Sequence, residues 1–298
     1  MIPVDSSSFR RMLFILLFCL PHIAVSQVFS GTSFSEAERL GTASITAVYL
    51  QEPAFGYADD QGRITGITID IFRQFSAWLK GSKGIDVAIT FVPESSFSDF
   101  YGKVRDSRGG VFGLGTTTVL DSRRSEVSFS PAFINNVAVL ITNNSLPDLN
   151  TTSDYNQILG GRKAIVAGGS TLQSYVEALK RDHLPGLSIE TTPTSSLAID
   201  KVSTDASYFS YVDLSAFWLA VNDQNRPLKR HPIADLTTEK FAFIMPPGSD
   251  WAPLMEEFFS LGTGYRSNPA YKRILMKHLG TEFTNMLEMA RQRTAGNR

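Results

Sequence analysis

The feature that most limits the folds open to this chain of 298 residues is a regular alternation of strand-like and helix-like segments. Runs rich in valine, isoleucine and threonine, such as 45–50 and 87–92, are bounded by polar residues and predict strands. Between these two runs, Ile69, Phe72 and Phe75 recur at helical spacing, and similar alternation fills most of the remaining sequence. The pattern predicts an α/β fold with largely parallel sheets.

The first 26 residues have the pattern of a secretory signal peptide. Arg10 and Arg11 precede an apolar stretch at 12–20, and small residues then end at Ser26, after which we expect cleavage and release into the periplasm. A membrane anchor is the alternative, but a spanning helix needs about 20 apolar residues, and this stretch is much shorter. The serine- and glycine-rich residues 27–40 predict a loose lead-in to the first strand.

Composition narrows the partners and cofactors that the chain can have. Lys and Arg number 28 against 29 Asp and Glu, so the sequence lacks the broad basic field that attracts nucleic acid. The one cysteine, Cys19, lies inside the predicted signal peptide behind the bulky Phe18, which argues against a lipid anchor. We therefore expect a mature protein without a disulfide, a cysteine-bound metal or a cofactor, and we expect a monomer.

The sequence carries no complete motif for enzyme chemistry. The histidines that follow the signal peptide, His183, His231 and His278, are far apart and lack metal-ligand spacing. The glycine-rich run 109–115 lacks the lysine of a phosphate loop, and 168–172 lacks the closing glycine of a nucleophile elbow. These absences favour a binding protein over an enzyme.

Five segments match one known pattern in the same order along the chain. The most specific is a threonine-rich turn that ends at Arg123 and is followed by Val-Ser-Phe-Ser-Pro-Ala-Phe. Together the segments span about residues 43–280 and resemble the amino-acid-binding family of periplasmic solute-binding proteins, the receptors of ABC importers. The segments are 53–57 with 66–72, 116–123 with 127–133, 165–171, 211–213 and 241–245.

The resemblance implies a type II periplasmic-binding-protein fold, in which two α/β lobes are joined by two crossing strands. Lobe one is expected to comprise residues 36–137 and 237–280, lobe two the insert 138–236, and the C-terminal tail residues 281–298. A hinge in the crossing strands would let a ligand bridge both lobes and stabilise the closed form. An ABC permease in the membrane would recognise that form.

The resemblance also implies a ligand site, and its chemistry suits an amino acid. Arg123 stands where the family keeps an arginine that grips the ligand carboxylate through two parallel hydrogen bonds. Asp213 is expected to accept from the ligand ammonium, and a helix start at 169–171 favours an anion. The expected ligand-binding residues are Glu52, Phe97, Thr116, Thr118, Arg123, Gly169, Ser170, Thr171 and Asp213.

Each of these roles has a structural alternative. Arg123 can be a surface arginine, Asp213 and Ser170 can be plain helix caps, and Phe97 can be a core residue. Glu52 stands where relatives often carry an aromatic residue, and it can point to solvent at the cleft rim. If Glu52 points inward, its carboxylate predicts a polar or cationic ligand, because an unpaired buried charge is costly.

Departures from the family pattern leave the ligand and the use of the scaffold open. Ser128 replaces the usual aspartate, and Leu120 stands where a second threonine is frequent. Two alternative functions remain, an enzyme similar to cyclohexadienyl dehydratases and a stand-alone periplasmic sensor of amino acids. The enzyme would need a general acid in the cleft, which the sequence does not identify.

Overall fold

The computed structural model describes residues 28–296, apart from the side chains of Thr237, Thr238 and residues 290–296. The predicted signal peptide therefore lies outside the described residues. None of the helices within this range is long and apolar enough to span a bilayer.

Helices and strands alternate along the described chain, and the alternation confirms the α/β class. The helices are α1 Phe34–Leu40, α2 Ile67–Trp78, α3 Phe97–Arg105, α4 Thr171–Asp182, α5 Ser195–Thr204, α6 Leu214–Asn222, α7 Ala252–Phe259 and α8 Pro269–Gly296. The strands are β1 Thr42–Leu50, β2 Tyr57–Ala58, β3 Ile64–Thr65, β4 Asp86–Glu94, β5 Val111–Thr118, β6 Ser128–Phe129, β7 Ile134–Asn143, β8 Lys163–Ala167, β9 Ser188–Thr192, β10 Tyr208–Asp213, β11 Leu228–Arg230 and β12 Leu236–Met245.

The main sheet runs in the order β4-β1-β5-β12-β7-β10-β8-β9, with β6 beside β12 and β11 beside β7. The pairs β1–β4, β1–β5, β8–β10 and β8–β9 are parallel, as predicted. In the middle of the sheet the pairing is antiparallel. Strand β12 runs antiparallel to both β5 and β7, and β7 runs antiparallel to β10. The expectation of largely parallel pairing thus applies to the two ends of the sheet only.

Strands β7 and β12 cross between two regions with separate cores. At the crossing, Asn136 pairs with Glu239 and Asn135 with Lys240, and the register is irregular between Leu236 and Glu239. One pair of buried clusters is built mainly from the helices around β1, β5 and the end of β12. The other pair is built mainly from residues 137–236, around β8 and β10. We refer to these regions as lobe one and lobe two.

The glycines of the run 109–115 allow close packing between a helix and the sheet. A Cβ atom at Gly115 would lie 2.9 Å from the ring of Phe100, and one at Gly113 would lie 3.0 Å from the same ring. Helix α3 can therefore lie directly on β5. This packing fixes the position of Phe97 at the start of α3.

Two segments differ from the sequence interpretation. The lead-in contains helix α1, which begins after the Ser33 cap and ends at Gly41 in the left-handed conformation, with φ of 69°. The expected tail, 281–298, continues α8 to Gly296 after a break at Gly280. Phe283 in this part is buried and its ring packs against Trp218 of α6, with centroids 5.3 Å apart.

Candidate functional site

A narrow cleft lies between the two lobes, and the empty space in and around it, open solvent included, is about 360 Å³. Its walls come from the carboxyl ends of β1, β5, β8 and β10 and from the N-terminal ends of α3, α4 and α5. Ligands of open α/β sheets bind in this kind of crevice, outside the carboxyl ends of the strands. The lining residues are Glu52, Phe97, Thr116, Thr118, Ala167, Ser170, Thr171, Leu172, Thr194, Ser195, Asp213 and Phe241.

Seven of the nine residues expected from the sequence line this cleft. The two that do not are Arg123 and Gly169, which lie beside it and bind each other. Arg123 Nη2 donates to the Gly169 carbonyl oxygen at 3.1 Å and so connects a turn of lobe one with a turn of lobe two. The structure therefore brings all nine residues to one region.

Arg123 is held so that part of its guanidinium has no protein partner. The guanidinium lies over the rings of Phe97 and Tyr101, at 5.6 and 5.1 Å from their centroids. Its Nη1 atom is buried and has no hydrogen-bond partner among the described residues. Burial lowers the pKa of Arg123, since removal from water disfavours the charged form. A buried donor without a partner is costly, and a carboxylate would satisfy it.

Asp213 belongs to a pair of carboxylates that one amide bridges. It precedes α6 at the cap position, but its side chain makes no cap hydrogen bond. Instead, Asn136 Nδ2 donates to Asp213 Oδ1 and to Glu239 Oε2, both at 2.6 Å. Burial, followed by the nearby charges of Glu239 and Glu52, raises the pKa of Asp213 well above its ordinary value. A ligand ammonium would relieve this crowding of negative charge.

Glu52 faces the cleft rather than the outer rim. A tight turn after β1 fixes its backbone, since Glu52 and Gly56 exchange hydrogen bonds of 2.9 and 3.0 Å. Its Oε2 atom accepts from Thr116 Oγ1 at 2.8 Å. Burial raises the pKa of Glu52 to about 7, and the bond from Thr116 opposes that shift. The alternative in which Glu52 points to solvent is therefore wrong.

The turn that opens lobe two leads directly into helix α4, at the expected helix start. Gly169 adopts a φ of 74°, a conformation that favours glycine, and α4 begins at Thr171. Ser170 is the cap residue, but its hydroxyl donates to the Ala167 carbonyl oxygen at 2.7 Å rather than capping the helix. Thr171 is buried and its hydroxyl oxygen lies 3.1 Å from that of Thr118 in lobe one.

The two lobes contact each other directly across the cleft. Phe97 N donates to the Pro193 carbonyl oxygen at 3.2 Å, in addition to the contacts that join Arg123 with Gly169 and Thr118 with Thr171. Phe97 is buried, and it both lines the cleft and packs against Phe100 in the core. Phe97 is thus a core residue and a cleft residue at the same time.

Sequence reasoning missed several residues of this region. Thr194 and Ser195 line the cleft at the start of α5, and a serine- and threonine-rich helix start after a strand was the signal that could have revealed them. Asn136, Tyr175 and Glu239 form a buried hydrogen-bond network behind the cleft. In the part of the chain that the structure describes, no group of three or more His, Cys, Asp or Glu residues could hold a metal ion.

Comparison with known proteins places the chain in a structural context. The family model of the bacterial extracellular solute-binding proteins, family 3, matches residues 45–286. No protein of curated function matches the sequence. Many solved structures do match.

A substrate-binding protein of an ABC uptake transporter from Streptococcus pneumoniae, with bound histidine, has 18% identity and a TM-score of 0.67, over 83% of this chain and 96% of that one. The arginine-, lysine- and histidine-binding protein ArtJ from Geobacillus stearothermophilus has 18% identity and a TM-score of 0.61, over 80% and 96%. The GluR0 ligand-binding core from Nostoc punctiforme, in complex with glutamate, has 17% identity and a TM-score of 0.63, over 80% and 100%. These likenesses confirm the two-lobed type II fold.

Proposed function

Because the chain belongs to the bacterial extracellular solute-binding proteins of family 3, we propose that it captures a small amino-acid-like ligand between its lobes and presents it to an ABC permease. The observation that carries this proposal is the pairing of opposite charges at one cleft. Arg123 offers an unpartnered donor to a carboxylate, and Asp213 offers a crowded carboxylate to an ammonium. An α-amino acid carries both of those groups.

We further propose that the protein is exported to the periplasm with its signal peptide removed. The extracellular character of the family and the pattern of the first 26 residues support this location. An exported receptor of this kind needs no cofactor, since it only binds its ligand and closes its two lobes around it.

The charge balance of the cleft supports a cationic side chain on the ligand. Three carboxylates, those of Glu52, Asp213 and Glu239, lie in or directly behind the cleft, and Arg123 lies beside it. A ligand with one carboxylate and two cationic groups, such as L-arginine or L-lysine, would pair with these charges. A second carboxylate on the ligand would instead face Glu52.

A thermal-shift screen of the common amino acids is expected to rank L-arginine and L-lysine first. A ligand at 100 times its Kd stabilises the folded state by about 2.7 kcal/mol, which corresponds to a rise in Tm of about 5–10 °C for a protein of this size. L-Glutamate and L-aspartate should give the smallest rises. If the acidic amino acids gave the largest rise, the ligand class would be wrong, and if no amino acid raised the Tm, the proposed function would fail.

The affinity for L-arginine is expected to rise with pH, because cation binding favours the charged form of Glu52. With a pKa of about 7, the ionised fraction of Glu52 increases about tenfold between pH 6 and pH 8, and the affinity should follow. Asp213, whose pKa is also raised, acts in the same direction. Titration calorimetry of wild type and Glu52→Gln across this range measures the effect, and the variant should show the weaker dependence.

The same shift predicts the opposite trend for the stability of the free protein. The folded state keeps the Glu52 proton between the ordinary value of 4.5 and about 7, so stability falls as pH rises through that window. Glu52→Gln should be more stable than wild type above pH 7, whereas Glu282→Gln on the exposed face of α8 should match wild type. If the affinity for L-arginine had the same pH profile in wild type and Glu52→Gln, Glu52 would not be the group whose ionisation favours the cationic ligand.

A further inference from the structure

Glu239 accepts four hydrogen bonds that come from different parts of the molecule. Its Oε1 atom accepts from the hydroxyl groups of Thr118, Thr171 and Tyr175, at 3.1, 3.0 and 3.0 Å. Its Oε2 atom accepts from Asn136 at 2.6 Å. The residue is only 3% exposed, so these donors replace water around the carboxylate almost completely.

The hydrogen bonds of Glu239 connect the two lobes at the crossing strands. Glu239 lies on crossing strand β12, and Asn136 lies opposite it on crossing strand β7. Thr118 belongs to lobe one, whereas Thr171 and Tyr175 belong to α4 of lobe two. One carboxylate at the hinge therefore holds a side chain from each lobe, and it can do so only when the lobes are close together.

These bonds also determine whether the hydroxyl groups of Thr118 and Thr171 present a hydrogen or a lone pair to the cleft. Thr118 and Thr171 line the cleft, whereas Glu239 does not. Each threonine hydroxyl has one hydrogen, and when that hydrogen goes to Glu239 only lone pairs remain for a ligand. Without the carboxylate, the two oxygens, which are 3.1 Å apart, could bond to each other. That bond would use one acceptor lone pair, and the hydrogen of the accepting hydroxyl would be free to turn toward the ligand ammonium, which it would repel.

We propose that Glu239 is a positioning residue, which holds Thr118 and Thr171 together as the lobes close and presents both hydroxyl oxygens as acceptors for the ligand ammonium. This proposal deepens the proposed function and rests on it where a ligand is concerned. Asp213 completes the set of acceptors, since Asn136 joins it to Glu239.

The test is a double-mutant cycle with L-arginine as the probe. Glu239→Gln keeps the size of the side chain, and Thr171→Val removes one hydroxyl group. Each variant should weaken binding about tenfold or more, because a hydrogen bond to a charged group is lost. The double variant should be no more than about twofold weaker than the worse single variant, since both changes break one arrangement. Thr171→Ser, which keeps the hydroxyl, should recover most of the affinity that Thr171→Val loses.

A matched control carries the same chemical change on α4. Glu177 is exposed and accepts from Gln173 of its own helix, so Glu177→Gln should bind like wild type. If the losses in Glu239→Gln and Thr171→Val multiply in the double variant, Glu239 acts through its charge alone and the proposal is overturned.

A second measurement needs no ligand and so separates this proposal from the proposed function. Small-angle scattering should give a larger radius of gyration for ligand-free Glu239→Gln than for wild type. Tyr175→Phe, which removes one donor to Glu239 outside the cleft lining, should shift the radius in the same direction. An unchanged radius in both variants would overturn the proposal, whereas failure of wild type to bind L-arginine would overturn the ligand class instead.

Discussion

Replacement of Arg123 by alanine is expected to abolish ligand binding. The guanidinium is half-buried, and its Nη1 atom lacks a partner among the described residues, so a ligand carboxylate would make its strongest charged contact there. Loss of one member of a desolvated charge pair typically costs about 2–5 kcal/mol, or about 30-fold to several thousand-fold in affinity. The lost bond from Arg123 Nη2 to Gly169 also weakens contact between the lobes.

The neighbouring arginine supplies the control. Arg124 pairs with Asp121 at 2.9 Å, and the two side chains are 57% and 97% exposed, so Arg124→Ala should stay within about twofold of wild type. Arg123→Lys keeps the charge but cannot make two parallel bonds, and it should bind at an intermediate level. Titration calorimetry, with folding checked by circular dichroism, makes the comparison. Equal affinities of Arg123→Ala and Arg124→Ala would refute the carboxylate clamp.

Asp213→Asn is expected to weaken binding and to stabilise the free protein at the same time. The substitution removes the charge that would pair with the ligand ammonium, at a cost of about 2–5 kcal/mol in binding. The raised pKa of Asp213 means that the folded state keeps a proton which the unfolded chain has released. Wild-type stability therefore falls as pH rises above the ordinary value of 3.8, and asparagine, which does not ionise, avoids this loss.

At pH 7 the Tm of free Asp213→Asn should thus lie above that of wild type, by about 2–4 °C for each kcal/mol gained. The bond from Asn136 can persist, because the asparagine side chain keeps a carbonyl oxygen at this site. Asp60→Asn, at an exposed turn position, should change neither property. A lower Tm together with unchanged affinity would show that Asp213 is a structural residue and not a ligand contact.

Most of the cleft could be predicted because its residues follow strands whose patterns are clear. Thr118, Thr171 and Asp213 each end a strand or begin a helix, and those boundaries are visible in the sequence. Glu239 could be placed in a crossing strand but not in a cleft network. Its partners Thr118 and Asn136 are 121 and 103 residues away, and no local pattern reports such pairings.

The sequence interpretation was incomplete at the two ends of the described chain. The serines and glycines of 27–40 suggested a loose segment, yet Ser33 and Gly41 are the two caps of helix α1. At the other end, Gly280 has a φ of 77° and a ψ of 164°, which interrupts α8, and a second helical segment follows it. In the segment after Gly280, Phe283 is buried and packs against Trp218, a contact that the sequence alone does not reveal.

The place of β12 in the sheet has a consequence for how the chain assembles. This strand is the last in the sequence, yet it lies between β5 and β7 at the centre of the sheet. A growing chain that stops before residue 236 leaves the edge of β5 open to wrong partners. Lobe two contains all of its own strands within 134–230 and can form earlier, whereas lobe one must wait for a distant segment, and such non-local pairing is slow. Synthesis of lobe one thus begins before that of lobe two, yet lobe one is the second of the two to become complete.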